Sequence, residues 1–256
     1  MKRIVAATLF ALACCGSAAA QERLVVSLSS SRVAITSNFA GEDLVLFGTV
    51  EQEPAPPRSG SYDLVVTVAG PSRTLRTRRK TRVLGIWVNV DSREFVSVPA
   101  YLAVLSSEPV ADIASRDILR RLQIGLDNYI LRQHIGADFA DTVPDDPFRA
   151  AFVRLAREQR LYIQNPAAVT FLTPTVFRAA IPLPSDAPTG HYTIDVKLFT
   201  GGKMVAQTDT GLDIIKVGFE QYVADAARDH GFLYGLATML MALLTGWVAS
   251  VVFRRD

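Results

Sequence analysis

The strongest fold signal in the sequence lies in the stretch Ala187-Pro188-Thr189-Gly190-His191-Tyr192-Thr193-Ile194-Asp195-Val196-Lys197-Leu198. Its first four residues predict a turn, because proline fixes one backbone dihedral and glycine adopts conformations that other residues avoid. From Tyr192 onward, large apolar residues alternate with polar ones, which indicates a half-buried strand. A turn leading into Tyr-x-Ile-x-Val is typical of immunoglobulin-like and fibronectin-like sandwiches.

Further strand patterns flank this stretch on both sides. Apolar or alternating segments occur at 24–26, 33–35, 44–48, 63–69, 84–90, 95–98, 203–206 and 212–215. Gly201-Gly202 predicts a hairpin turn, and the proline-rich segment 53–60 predicts a loop. These patterns predict a domain built mainly from antiparallel strands.

The middle of the chain changes to helical spacing. Apolar residues recur every three or four positions over about 108–133, which predicts one amphipathic helix. They include Leu119, Leu122, Leu126 and Tyr129. Asp146 before Pro147 predicts the start of a second helix. We therefore predict an immunoglobulin-like β-sandwich over 21–216, with a two-helix insertion at about 107–161 and one C-terminal transmembrane helix after it.

The N-terminus has the order of a secretory signal peptide over 1–20. A basic pair at 2–3 precedes an apolar run at 4–15, and Ala18-Ala19-Ala20 supplies small residues for cleavage before Gln21. The apolar run is too short to cross a bilayer, which takes about 20 residues.

Both cysteines, Cys14 and Cys15, lie within this removable segment. Lipidation at one of them is the alternative to cleavage, because the residues before them loosely resemble a lipobox. If the chain is cleaved before Gln21, the mature protein has no cysteine for a disulfide, a thiolate metal site or a nucleophile. It also lacks a glycosylation sequon, and the two absences together favour a bacterial envelope.

The C-terminus carries a charge-free apolar segment from Gly231 to Phe253, long enough for one transmembrane helix. Arg254 and Arg255 follow it, and positive charge beside a span marks the cytoplasmic side. We predict a bacterial inner-membrane protein with its N-terminal domain in the periplasm, a linker at 217–230 and a cytoplasmic tail at 254–256. The lipid bilayer is its first predicted partner.

Small residues recur along the predicted span at helical spacing. They are Gly231, Gly235, Ala242, Gly246 and Ser250. Such residues let helix backbones approach closely in lipid, so they are candidates for contact with a polytopic membrane protein such as a permease. The alternative is that small residues are simply common in spans.

The segment 73–82 is strongly basic. If it is a strand, Arg76, Arg78, Lys80 and Arg82 share one face, because side chains alternate. One interpretation is contact with an anion: a lipid headgroup, an acidic protein or an oxyanion such as sulfate. The other is a solvated edge strand, whose charges prevent pairing with a second chain.

Residues 21–230 carry a net charge of −1, which does not favour nucleic acid as a partner. The three histidines, His134, His191 and His230, are too scattered for a metal site. An acidic loop contains Asp138, Asp141, Asp145 and Asp146, without the glycine pattern of a calcium loop. We expect no metal and no cofactor, and the sequence does not identify a small-molecule ligand.

The sequence contains no motif for a catalytic serine, a zinc protease or a phosphate-binding loop. We therefore expect a non-catalytic accessory or binding module at the membrane. An envelope enzyme whose active site is assembled from distant residues is the alternative, because a fold does not dictate its function.

Two segments carry a family resemblance: the opening Ile35…Phe39-Ala40-Gly41…Phe47-Gly48, and Gly218-Phe219-Glu220 before the span. They resemble the alphaproteobacterial putative transmembrane protein family, whose members have a signal peptide and one C-terminal span. The resemblance covers nearly all of the mature chain and implies the same topology, without an assigned activity. Genes of that family often lie near sulfite-exporter-type permeases, a neighbourhood that says nothing about mechanism.

Overall fold

The computed structural model describes residues 22–51, 61–135, 138–142, 145–218, 223 and 227–252. The predicted signal peptide with Cys14 and Cys15, the loop at 53–60, most of the linker and the cytoplasmic tail lie outside these residues. The strands, in chain order, are β1 (Arg23–Leu28), β2 (Arg32–Ile35), β3 (Glu42–Glu51), β4 (Asp63–Ala69), β5 (Ser72–Val83), β6 (Ile86–Pro99), β7 (Leu102–Ser106), β8 (Arg132–Ile135), β9 (Asp138–Asp141), β10 (Tyr162–Asn165), β11 (Val169–Phe171), β12 (Val176–Leu183), β13 (Gly190–Thr200) and β14 (Lys203–Lys216).

Two sheets form a sandwich. The first has the order β1-β3-β12-β11 and is antiparallel throughout. The second has the order β10-β7-β4-β13-β14-β2, with a parallel pair at each end. These orders match the ABED and GFC sheets of immunoglobulin-like domains, with extra strands at the edges of the second sheet. Assignment to that fold class stays a prediction, whereas the predicted β-rich domain is confirmed.

The main core lies between these two sheets. The alternation predicted from Tyr192 to Leu198 holds, because Tyr192, Ile194, Val196 and Leu198 all point into it and are fully buried. The Tyr192 hydroxyl donates to the Pro188 carbonyl oxygen at 2.6 Å, which ties the strand to the turn before it. The bond gives the hydroxyl group, the polar part of this buried side chain, a hydrogen-bond partner.

A third sheet, with the order β5-β6-β8-β9, belongs to a second core. That core packs against the opposite face of the second sheet, where Val65, Leu102 and Phe199 are buried. Phe95 of β6 supplies the facing aromatic group, with its ring centroid 5.1 Å from that of Phe152. The central strands of the second sheet are therefore covered on both faces, which explains their nearly continuous apolar runs.

The helices are α1 (Val110–Ile113), α2 (Arg116–Arg121), α3 (Pro147–Glu158) and α4 (Gly231–Val252). The predicted single helix over 108–133 is wrong. Ala114 is extended, and Gln123 has a φ of 53°, so the chain leaves the helical conformation at both places. Leu119 and Leu126 are nonetheless buried, which shows that the apolar pattern reflected burial rather than one continuous helix.

The second predicted helix is confirmed as α3, and its capping is the one that the sequence indicates. The carboxylate oxygen Oδ1 of Asp146 accepts hydrogen bonds from the backbone N–H groups of Phe148 at 2.7 Å and Arg149 at 3.2 Å. These bonds satisfy donors that the first helical turn leaves unpaired.

Candidate functional site

The four predicted basic residues lie on β5, the outer strand of the third sheet. Arg76, Arg78, Lys80 and Arg82 are exposed and occupy alternate positions; we call them the basic stripe. The pairing register between β5 and β6 shifts at two places, and at both the additional residue of the bulge lies on β6. The alternation along β5 is therefore uninterrupted, and the four side chains share one face.

The two ends of the basic stripe have partners within the hairpin. Arg76 forms an ion pair with Glu94 at 2.5 Å, and its hydrogen bond and charge hold the pKa of Glu94 below its usual value. The Nε atom of Arg82 donates to the Gly85 carbonyl oxygen at 3.3 Å. Arg78 and Lys80 form no ion pair with any residue that the structure describes. The middle of the stripe is therefore available to an external anion.

The other face of the hairpin stem is fixed to α3 by an aromatic ring. The Arg79 and Arg93 guanidinium groups lie 6.0 Å and 5.3 Å from the centroid of the Phe148 ring. Arg79 also approaches Asp91 at 3.9 Å. Cation–π contacts of this kind anchor the stem and leave the basic stripe on the solvent side.

The hairpin ends in an apolar tip, which we define as Val83, Leu84, Gly85, Ile86 and Trp87. Leu84 is 98% exposed, Ile86 is 69% exposed and Trp87 is 68% exposed. Leu84 and Gly85 form the turn, with φ values of 49° and 88°. Positive φ at both positions is the geometry of a type I′ turn, whose usual first residue is Asn, Asp or Gly.

The sequence does not predict this tip. The apolar run predicts a strand over 84–90, whereas β6 begins at Ile86 and the exposed turn precedes it. An apolar run that directly follows a basic run and contains one glycine is the signal that indicates an exposed hairpin end. The strand prediction does not include that end, because exposure cannot be read from hydrophobicity alone.

The small residues of the predicted span lie on α4. Successive residues of an α-helix are rotated by about 100° around its axis. An arc of about 100° of the circumference of α4 therefore contains all five small residues: Gly231, Gly235, Ala242, Gly246 and Ser250. The hydroxyl groups of Thr238 and Thr245 donate to carbonyl oxygens within the helix, at 2.9 Å and 2.6 Å. No residue of α4 is buried against the described part of the chain.

The histidines are far apart in sequence, and the structure places His191 beside a carboxylate. His191 on β13 and Asp213 on β14 are 2.8 Å apart, between Nδ1 and Oδ1, and both side chains are at least half exposed. His134 lies on β8, and His230 precedes α4. The three histidines therefore belong to different elements of the fold.

The acidic loop divides between two structural roles. Asp138 and Asp141 belong to β9, where Asp141 lies 3.9 Å from Arg132, while Asp146 caps α3 and Asp145 lies in the turn before it. Within the described residues, no group of three or more His, Cys, Asp or Glu side chains is arranged to hold a metal ion.

Two of the open clefts in the described domain are lined by charged residues. One, of about 610 Å³, is lined by Asp63, Asp112 and the turn Gly201-Gly202; burial, and then the charge of Glu108, raises the pKa of Asp63. The other, of about 470 Å³, lies beside Arg178 on the outer side of the first sheet. Neither cleft contains a histidine or a residue of the basic stripe.

These features define a class: a β-rich domain followed by one apolar helix, Gly231–Val252, that is long enough to cross a bilayer. Among the residues that the structure describes, it is the one helix with that length and composition. Residues 23–255 match the family model described as "Putative transmembrane protein", and the chain belongs to that family. The predicted family and the predicted C-terminal span are thereby confirmed.

Other comparisons add little. No curated protein matches the chain. One similar solved structure is the N-terminal domain of the Streptococcus gordonii adhesin Sgo0707, with 8% sequence identity and a TM-score of 0.25. The match covers 75% of this chain and 32% of the adhesin chain, so this chain spans about a third of that structure's length.

Proposed function

We propose that this protein is a non-catalytic accessory module of the bacterial inner membrane, with its β-sandwich in the periplasm. It binds a polytopic membrane protein, such as a permease, through its span. The observation that carries the proposal is the side of α4 that bears the five small residues, from Gly231 to Ser250, and that is packed against nothing in the described chain.

Small residues support this role because helices in lipid associate by close packing rather than by the hydrophobic effect. Gly235 and Gly246 lie near the centre of the arc, where two backbones approach most closely. Since the hydroxyls of Thr238 and Thr245 are already bonded within α4, the helix needs no external polar partner. A partner helix therefore binds by close packing against the small-residue side of α4.

The orientation rests on the two ends of the chain. A signal peptide delivers the following domain across the membrane, and Arg254 with Arg255 holds the C-terminus on the cytoplasmic side.

The exposed His191–Asp213 pair supports a non-catalytic role. A histidine that acts as a general base needs a substrate site beside it, and neither of the two clefts described above is lined by this pair. Its position across the β13–β14 ladder makes it a surface contact between neighbouring strands.

The test is purification of the tagged full-length protein from native membranes in mild detergent, followed by mass spectrometry. We compare the parent with Gly246→Ile, which blocks close approach on the small-residue side. The matched control is Ala237→Ile, because Ala237 lies on the opposite side of α4 and receives the same side chain.

We expect a polytopic protein to copurify in near-equal amount with the parent and with Ala237→Ile, and to be lost with Gly246→Ile. Equal recovery from all three proteins shows that the partner binds elsewhere. If nothing copurifies with the parent, the proposed accessory role is wrong.

A further inference from the structure

We propose that the β5–β6 hairpin is a second membrane contact of this protein. Its apolar tip enters the acyl-chain boundary of an anionic bilayer, while Arg78, Lys80 and Arg82 bind the phosphate headgroups. The inference needs only the anchoring of the chain by α4, and it holds with or without a polytopic protein partner.

The tip is apolar on both faces of the ribbon. Val83 and Ile86 form one cross-strand pair, and Trp87 pairs with Arg82 on the other face. Leu84 extends from the turn between them and is almost fully exposed. A strand that docks on a protein needs one apolar face, whereas lipid surrounds an inserted tip from every side. Tryptophan also favours the membrane interface, where its ring is apolar and its N–H remains near water.

The turn has a leucine where backbone geometry favours another residue. Leu84 adopts a φ of 49°, which is unfavourable for a bulky side chain and easy for Asn or Gly. Strained positions of this kind cluster at ligand contacts, because the surrounding structure maintains them for function. Nothing in the described fold packs on Leu84, so its contact lies outside the domain.

The hairpin projects far enough to reach a bilayer before the rest of its sheet. β8 pairs with β6 only at Phe95 and Val96, so the ribbon beyond Glu94 has two strands. At about 3.3 Å per residue, the tip lies about 26 Å beyond Arg76. On the same scale Arg82 is about 7 Å from the end of the hairpin. Interfacial segments bury their apolar side about 5–10 Å deep, which places Arg82 at the headgroups.

The charge distribution favours an anionic surface. Residues 73–82 contain six basic side chains and no acidic one. The hairpin 72–99 has a net charge of +5, whereas the rest of 21–230 has a net charge of −6. A negatively charged bilayer therefore attracts the hairpin and repels the rest of the domain, which orients the tip toward the lipid.

The span keeps the hairpin close to its target. Fourteen residues, 217–230, separate β14 from α4, and such a segment extends over about 50 Å at most. Insertion of the tip is therefore an intramolecular event with a high effective concentration of lipid. A contact too weak to recruit a soluble protein is sufficient here.

The test uses the full chain reconstituted in lipid vesicles. The chain has two tryptophans, so Trp247→Phe leaves Trp87 as the reporter. We expect Trp87 emission to shift to shorter wavelength, and to be quenched by lipids brominated on the acyl chain, when phosphatidylglycerol is present. We expect less insertion, and therefore a smaller shift and less quenching, in phosphatidylcholine alone and at high salt.

Three variants separate insertion from folding. Leu84→Asn suits the turn better than leucine, so the hairpin is retained while insertion weakens about tenfold. Arg78→Glu with Lys80→Glu removes the dependence on phosphatidylglycerol and weakens insertion at least about tenfold. Leu172→Asn, at an exposed leucine far along the chain, is the matched control and leaves quenching unchanged.

Trp87 that is unquenched in both lipid mixtures overturns the proposal, as does full quenching in Leu84→Asn. A tip that stays outside the lipid but cross-links to a membrane protein in cells is a protein-docking element, and that result also overturns it. Because the vesicles contain no other protein, failure of the copurification experiment leaves this outcome unaffected.

Discussion

The guanidinium of Arg149 donates from Nη2 to the backbone carbonyl oxygen of Asp127 at 2.9 Å. The same nitrogen lies 3.2 Å from the carbonyl oxygen of Leu126 and 3.0 Å from that of Tyr129. Arg149 is 6% exposed and lies in the first turn of α3. One buried cation thus holds the irregular segment after α2 against the helix that supports the hairpin stem.

Replacing this arginine should destabilise the domain strongly. Arg149→Met keeps much of the side-chain volume but leaves the carbonyl groups without their donor, and we expect a loss of about 2–4 kcal/mol in the free energy of unfolding. Urea unfolding of the detergent-solubilised protein measures it. Arg154→Met is the control, because Arg154 forms an exposed ion pair with Glu158 on the same helix, and we expect a change below about 0.5 kcal/mol. Equal effects of the two substitutions would contradict the role assigned to Arg149.

A second prediction concerns Gly48, which lies directly opposite Phe177 across the β3–β12 pair. A Cβ atom at Gly48 would overlap the Phe177 ring, which is fully buried and packs against Phe171. We expect Gly48→Ala to lower the free energy of unfolding by about 1–3 kcal/mol, because the core cannot accept the extra volume.

A double-mutant cycle in urea shows whether this contact is the cause. Phe177→Leu leaves more room above Gly48, so the combined variant should be less destabilised than the sum of the single variants. Additive effects would show that Gly48→Ala acts through the backbone instead.

Apolar and alternating patterns predicted six strands of the sandwich, β1, β2, β3, β4, β13 and β14, because each faces the main core on one side. Leu44, Leu64 and Ile194 are all buried at the positions that the pattern indicates. Four other sandwich strands, β7, β10, β11 and β12, were not predicted. β10 and β11 contain four and three residues, too few for a periodic pattern to emerge, and their pairing depends on neighbours distant in sequence.

The candidate site was predicted only in part. The basic stripe follows from alternation within one strand, a local property that the sequence contains. The apolar tip depends on exposure, and exposure is decided by how far β8 extends along β6. Similarly, the apolar spacing from Leu119 to Tyr129 looks helical, whereas the second core accepts these side chains from short helices and turns. Tertiary packing overrode helix propensity there.

The buried tyrosines make stability depend on pH in the alkaline range. Burial raises the pKa of Tyr101 and Tyr162 above 10.0, the ordinary value of a tyrosine, so the folded state keeps protons that the unfolded state releases. The stabilisation is complete below about pH 10 and decreases as the pH rises above it, by up to about 1.4 kcal/mol per pH unit for each tyrosine. Urea unfolding between about pH 9 and 11.5 measures the slope.

Tyr101→Phe tests the assignment of that slope. The substitution also removes the hydrogen bond from the hydroxyl to the Pro182 carbonyl oxygen, 2.5 Å long, so the variant is less stable at every pH. The informative quantity is the slope, which should become shallower above about pH 10, because one proton fewer is lost on unfolding. A slope identical to the parent's would show that Tyr101 ionises in the folded state.

The proposed topology makes a labelling prediction that uses the absence of cysteine from the mature chain. Thr189 lies exposed in the turn before β13, so Thr189→Cys adds an accessible thiol to the β-sandwich domain. With that domain in the periplasm, a membrane-impermeant maleimide should label the variant in intact spheroplasts. Asp256→Cys, in the predicted cytoplasmic tail, is the matched control and should be labelled only after lysis.

The unsubstituted chain reports on the N-terminus in the same experiment. Removal of residues 1–20 takes away Cys14 and Cys15, so the parent should accept no label even after denaturation. Labelling of the denatured parent would show that the leader is retained with free thiols. Labelling of Thr189→Cys only after lysis would contradict the proposed orientation. The arginines after the span would then face the periplasm, against the usual distribution of positive charge in membrane proteins.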